Sequence, residues 1–383
     1  MTFELKGRID SNNAAQIEQE LFSRLPEGET SLVLDAEKLD YISSAGLRVI
    51  LRLKKACPEL RVVNVSSEVY EIFDMTGFTE MFTVEKAYRV VSVEGCEVIG
   101  EGANGKVYRI DQDNVVKTYK NADALADIRH EREVARLALI LGVPTAISYD
   151  VVRVGDCYGS VFELLNARSF AKILAEEPER MDWCVEEYVA LLKKVHGITV
   201  PAGKLPPIKE QFLSRIRRMT GSLPDGRGEK LLRMIEAIPD SDRMIHGDYH
   251  TKNIVLAGDE VLLIDMDTLS VGRPIFELAQ MFNSYIGFAE YDEEIVLRFQ
   301  GYPISTSREF WSRSLRAYFD KADEQQLQTI EDRIRCLAYG RLIDWKQRHG
   351  DPENESDRKS IELWIAELTE LLDRVDTLDL DAV

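Results

Sequence analysis

Residues 245–269 read I-H-G-D-Y-H-T-K-N-I-V-L-A-G-D-E-V-L-L-I-D-M-D-T-L. His246, Asp248, His250 and Asn253 crowd one short stretch. Two apolar runs follow, 254–256 and 261–264, joined by the turn-forming 257–260, and the second run ends in Asp265 and Asp267. A hairpin of this size brings the stretch before its first strand close to the residues after its second. The spacing therefore predicts that Asp248, Asn253 and Asp265 converge. Two carboxylates and an amide suit a hard cation such as Mg²⁺, with one carboxylate left over. A spare carboxylate beside a metal is what phosphoryl transfer uses to orient a hydroxyl and accept its proton.

A second constellation lies upstream. Gly100, Gly102 and Gly105 form a G-x-G-x-x-G. Dinucleotide-binding loops share this spacing but run into a helix. Here 106–110 alternates as a strand does, so the pattern reads as strand, glycine turn, strand, a loop whose amides can approach phosphates. A polar turn at 111–114 leads to a returning strand, 115–119, that carries Lys117. A helix is expected over 122–141, stopped by Gly142 and Pro144. Glu131 shares a face of it with Val134, Ala138 and Leu141; Glu133 shares one with Leu137 and Ile140. Segments 146–154 and 158–164 read as paired strands, and beyond Asn166 the periodicity is helical almost throughout.

H-G-D-x-H-x-x-N followed by I-D-x-D resembles the catalytic core of the aminoglycoside phosphotransferase and choline kinase group, kinases related in fold to protein kinases. The order of glycine loop, lysine, helix glutamate, hinge strand and metal hairpin matches as well. The resemblance implies a bilobal α+β domain that uses ATP and Mg²⁺. Its small antiparallel-sheet lobe would span 94–165 and its α-rich lobe 166–383. It assigns Asp248 as catalytic base and Asn253 and Asp265 as Mg²⁺ ligands, with Asp267 a further ligand or a structural acceptor. It places Val107 against adenine and Lys117 on the α/β-phosphates, paired with Glu131 or, as the alternative, Glu133. Backbone groups near Phe162, Glu163 and Leu164 would meet adenine. G-R-P-I-F-E-L-A (272–279) resembles the group's G-x-P-x-x-D-L-A, with Glu277 in place of the acid that supports the catalytic loop.

Residues 1–85 have their own pattern. A strand at 3–9, a helix at 14–25, a short strand at 31–34, a loop into a helix near 44–53, a strand at 60–65 and a helix at 69–75 imply a small α/β sandwich. With G-R-I-D-S-N-N-A and L-D-Y-I-S-S-A-G-L-R, this order resembles the STAS domain of anti-sigma factor antagonists. In that family a serine at the start of the second helix is phosphorylated, and this breaks partner binding. The matching position is Ser44, although the common D-S-x-G is here Ser43-Ser44-Ala45-Gly46. Residues 86–93 read as a linker.

The 383 residues suit two or three domains. A net charge of −19 argues against nucleic acid and anionic membrane surfaces. Cys57, Cys96, Cys157, Cys184 and Cys336 are scattered, as reduced thiols in a cytoplasmic protein are. No signal peptide or membrane-length apolar run is read. The expected activity is transfer of the ATP γ-phosphate to a hydroxyl of a small molecule of the aminoglycoside, choline or sugar-like class. The STAS region would regulate it or bind a protein partner. The rival readings are a nucleotide-sensing interaction protein, and a kinase that phosphorylates its own Ser44.

Overall fold

The computed structural model describes residues 1–26, 28–101, 105–119 and 124–382. The chain divides into two compact units. One comprises Met1–Tyr108, Lys117–Asp123 and Asp150–Ser160; the other comprises Arg109–Val116, Ala124–Tyr149 and Val161–Val383. Among the described residues, no helix is long and apolar enough to cross a membrane.

The first unit opens with β1 (Thr2–Ile9), α1 (Ala14–Arg24), β2 (Ser31–Ile42), α2 (Ser44–Ala56), β3 (Glu59–Val65), α3 (Ser67–Met75), α4 (Phe78–Met81) and β4 (Thr83–Lys86). The four strands form one parallel sheet in the order β1-β2-β3-β4. Alternation buries Phe3, Leu5 and Ile9 of β1 and Leu32, Leu34 and Ala36 of β2, against which α2 packs Leu47, Ile50 and Leu53. The strand expected only to Leu34 in fact runs to Ile42. Consecutive exposed Glu37 and Lys38 break the alternation and imitate a loop. Pairing with β1 survives that break through register shifts at Glu4/Lys6 and Gly7/Arg8, and Gly7 takes the left-handed φ of 60°.

The chain continues through β5 (Arg89–Val90), β6 (Glu97–Glu101), β7 (Gly105–Arg109), β8 (Asn114–Tyr119), α5 (Leu125–Ile140), β9 (Asp150–Val154) and β10 (Cys157–Glu163). These strands make a six-stranded sheet ordered β5-β9-β10-β8-β7-β6. The strand expected from residue 146 begins only at Asp150. Residues 86–93, read as a linker, contain β5, which pairs in parallel with β9, and Arg89 bonds Asp150 at 3.2 Å.

The second unit then adds β11 (Ala167–Ser169), α6 (Phe170–Glu176), α7 (Met181–Gly197), α8 (Ile208–Met219), α9 (Arg227–Glu236), β12 (Met244–Ile245), β13 (Ile254–Ala257), β14 (Glu260–Leu263) and β15 (Ser270–Val271). It ends in α10 (Ile275–Phe282), α11 (Glu294–Gln300), α12 (Ile304–Tyr318), α13 (Glu324–His349) and α14 (Glu355–Arg374). Helix α10 is buried on every side, and its neighbours α12 and α13 turn aromatic residues onto it, among them Trp311 and Tyr339. The 26-residue α13 starts at a capping box in which Asp323 and Gln326 satisfy each other's backbone N–H groups.

Candidate active site

The stretch 246–253 is a loop held between two short antiparallel pairs. Before it, β12 pairs with β15 (Ile245↔Ser270); after it, β13 pairs with β14 (Ile254↔Leu263). The next step of the second ladder is the Ile264 N–H donating to the Asn253 carbonyl at 2.9 Å. Asp265 is one residue further on and takes a left-handed φ of 66°, rare for a residue with a side chain. It opens a 3-10 turn, Met266–Thr268, that holds Asp267 and packs against α5. The hairpin therefore brings Asn253 and Asp265 to one end, as the spacing predicted.

Within the loop, Asn253 Nδ2 donates to the Asp248 carbonyl at 3.0 Å and to Asp248 Oδ2 at 3.4 Å. This turns the amide nitrogen onto Asp248 and assigns the amide oxygen to the opposite side. His250 Nε2 lies 3.4 Å from Asp248 Oδ2. Burial pushes the Asp248 carboxyl up; the His250 hydrogen bond and the charges of His250, His246 and Arg341 outweigh it and hold the group below its ordinary value. Asp248 is thus kept as a carboxylate, a proton acceptor.

Glu277, at the first turn of α10, is fully buried and grips the loop from beneath. Its Oε2 accepts from the His246 N–H at 2.6 Å and its Oε1 from the Gly247 N–H at 2.9 Å. Gly247 has a φ of 86°, and a Cβ there would lie 2.6 Å from the Thr268 carbonyl oxygen. A tyrosine cluster closes the other side. Tyr188 and Tyr249 exchange hydroxyl-to-carbonyl bonds of 3.1 and 2.7 Å, and the Tyr285 hydroxyl accepts from the Thr251 N–H at 3.0 Å. Thr251 Oγ1 also donates to Gln300 Oε1 at 2.8 Å. Burial raises all three phenols, so they serve as neutral hydrogen-bonding struts. Sequence reasoning did not single out these tyrosines; they occupy ordinary apolar positions of helices and loop.

A Mg²⁺ ion fits this donor set. One carboxylate and one amide oxygen are few protein ligands, and Mg²⁺ characteristically keeps waters and takes phosphate oxygens for the rest. Among the described residues, no group of three or more His, Cys, Asp or Glu side chains is placed to hold a metal by itself.

The remaining predicted positions are spread over both units. Glu131 is half-buried on α5 and Glu133 exposed, which agrees with the helical-face reading. Glu163 ends β10, and the Leu164 N–H already donates to the Asp113 carbonyl at 2.6 Å. In the first unit, Gly100 backs onto Val107, a built Cβ lying 3.6 Å from its side chain. A Cβ on Gly105 would lie 1.7 Å from the Thr118 oxygen, so only glycine lets β7 lie against β8 there. Lys117 extends from β8, its Nζ 5.4 Å from the Tyr119 ring centre. Gly102 lies outside the described residues. Ser43 caps α2, its Oγ accepting from the Ala45 N–H at 3.2 Å, which leaves Ser44 exposed at the first helical position. Two cavities of the second unit, of about 230 and 460 Å³, are lined by no residue of the 246–253 loop.

Residues 95–318, more than half of the chain, match the phosphotransferase enzyme family. The chain belongs to that family. Residues 1–91 match the STAS domain. Over 84 residues the chain is 43% identical to BtrV of Bordetella bronchiseptica, described as a candidate anti-sigma factor antagonist; the match covers 21% of this chain and 72% of BtrV. The fold is similar to that of aminoglycoside phosphotransferase APH(2'')-Ib with ADP bound, with a TM-score of 0.51, 14% identity and coverage of 79% and 98% of the two chains. It is also similar to a thermostable mutant of aminoglycoside phosphotransferase APH(4)-Ia in complex with ADP and hygromycin B, with a TM-score of 0.50, 10% identity and coverage of 73% and 93%. This phosphotransferase is thus a kinase-like enzyme that carries an N-terminal STAS domain.

Proposed function

We propose that the protein transfers the γ-phosphate of ATP to a hydroxyl of a small molecule. The observation that carries this reading is the loop clamped by Glu277, with Asp248 and Asn253 bonded to each other and Asp265 delivered by the hairpin to the same end. Asp248 orients the acceptor hydroxyl and takes its proton as the acceptor oxygen bonds the γ-phosphorus. The bond from that phosphorus to the β–γ bridging oxygen breaks, and ADP leaves with the electron pair. Asn253 and Asp265 would hold Mg²⁺, which neutralises charge on the phosphates when bound. Lys117, paired with Glu131, and the amides around Gly100, Gly102 and Gly105 complete the phosphate cradle, with Val107, Glu163 and Leu164 lining the adenine. In this reading the lobes span 94–165 and 166–383, and the STAS region binds a protein partner.

A second reading has one observation of its own. Because Ser43 makes the cap, the Ser44 hydroxyl is exposed at a helix N-terminus, where added phosphate is tolerated. The enzyme would then phosphorylate its own STAS region.

One experiment separates the readings. The full chain is incubated with Mg²⁺ and γ-labelled ATP, with and without a small-molecule extract. Label on a new small molecule, lost in Asp248→Ala, supports the metabolite kinase. Label on the protein, lost in Ser44→Ala, supports self-modification. Transfer to a small molecule that is unchanged in Asp248→Ala refutes the assigned base.

A further inference from the structure

The larger cavity of the second unit, about 460 Å³, is walled by four aromatic side chains, Phe288, Tyr291, Trp345 and Trp364. The chain enters it through a π turn, Asn283–Gly287, that follows α10. The Phe288 ring then meets the Trp345 indole at 5.2 Å and the Trp364 indole at 6.2 Å, nearly perpendicular to both. His349 stacks on Trp345 at 5.3 Å. Trp345 is thus held by two neighbours and is still 39% exposed. The cavity has a fixed aromatic wall that a ligand can reach, and its volume is that of a small-molecule site.

The two charged residues of the lining are already spent. Lys346 is paired with Asp357, and Asp292 with Arg298. A charged ligand would leave water without finding a free opposite charge, which is costly. Aromatic rings also attract cations, but Lys346 Nζ already lies 6.0 Å from the centre of the Trp345 ring, so a second cation there meets a like charge. The neutral groups are the unspent ones. Among the described residues, the Trp345 indole N–H and the Tyr291 and Ser356 hydroxyls make no hydrogen bond within the protein, whereas the Trp364 indole N–H donates to the Gly287 carbonyl at 3.1 Å. Aromatic faces beside neutral donors and acceptors suit a sugar ring. Its C–H hydrogens lie against the negative face of an aromatic ring, and its hydroxyls take the hydrogen bonds.

Helix α11 leads from this cavity to the 246–253 loop. Ile295 lines the cavity, and Phe299 is four residues on, on the same helical face and about 6 Å along the axis. The Phe299 ring lies 5.1 Å from the His250 ring, and His250 Nε2 lies 3.4 Å from Asp248 Oδ2. We propose that the acceptor is a neutral saccharide, seated by a sugar ring against Trp345 in this cavity, with a hydroxyl extended past Phe299 to Asp248. This rests on the kinase reading and narrows it: the spent charges disfavour polycationic amino sugars, quaternary ammonium alcohols and sugar phosphates alike.

The test uses the full chain loaded with ADP and Mg²⁺. The neutral probes are glucose, myo-inositol, maltose and lactose; the comparison probes are glycerol, choline, kanamycin and glucose 6-phosphate. Dissociation constants are measured by calorimetry on the wild type, Trp345→Ala and Trp345→Phe, with melting curves to verify folding. At least one neutral probe binds about tenfold or more tighter than every comparison probe. That gap collapses in Trp345→Ala and is largely kept in Trp345→Phe, while the affinity for ADP is the same in all three proteins. The bound saccharide also takes label from γ-labelled ATP in the wild type. The proposal is overturned if a charged probe binds tightest, if no neutral probe exceeds glycerol, or if Trp345→Ala keeps the gap. It is also overturned if the saccharide binds but takes no label. Label on a charged molecule from the extract would overturn it while leaving the kinase reading intact, so the two fail separately.

Discussion

Glu277→Gln isolates the grip on the 246–253 loop. Both Glu277 oxygens accept, one from the His246 N–H at 2.6 Å and the other from the Gly247 N–H at 2.9 Å, and the residue has no exposed surface. Glutamine keeps the volume but turns one acceptor into an NH₂ group. One backbone N–H is then buried facing a donor, which costs about 1–3 kcal/mol. Taking ~2 kcal/mol, the loop opens about 30-fold more often, since 1.4 kcal/mol is a factor of ten. The assay is amide hydrogen exchange on peptides that cover 245–250, alongside turnover. The expected result is faster exchange confined to the loop and a lower kcat with KM for ATP nearly unchanged, because only the placement of Asp248 is disturbed. Glu277→Asp keeps both oxygens but shortens the arm by about 1.5 Å, and it should give an intermediate effect. Loop exchange in Glu277→Gln within threefold of wild type, with kcat preserved, would refute the claim that this carboxyl positions the 246–253 loop.

Two further predictions concern backbone and pH. Gly247→Ala combines a φ of 86° with a Cβ 2.6 Å from the Thr268 oxygen, so it should cost about 3 kcal/mol, roughly 6–12 °C of melting temperature for a unit of this size, and abolish turnover. Gly258→Ala, at a φ of 61° but with nothing within 4 Å of the new Cβ, should cost only about 1 kcal/mol and keep turnover; equal losses at the two sites would count against the close approach as the cause. Burial raises the Glu290 carboxyl from 4.5 to about 7, against the opposing pull of the Tyr339 hydroxyl and Arg335. Between those values the native state holds a proton that the unfolded chain has released, so stability falls as pH rises through the window, by up to about 3 kcal/mol. Urea unfolding at pH 5 and pH 8 should show this loss shrinking in Glu290→Gln, and an unchanged loss would remove Glu290 as its source.

The parts of this protein legible in sequence are those whose chemistry depends on near neighbours. The hairpin could be read because Asn253 and Asp265 flank two strands joined by a turn short enough to fix their pairing. The α/β pattern of the first 85 residues was legible for the same reason, except where Glu37 and Lys38 concealed the continuation of β2 and where the short α4 and β4 went unread. Hidden were features that depend on register between distant segments. Glu277 is thirty residues from the amides it holds. The motif named its role, but nothing local says that the longer side chain can still reach both N–H groups.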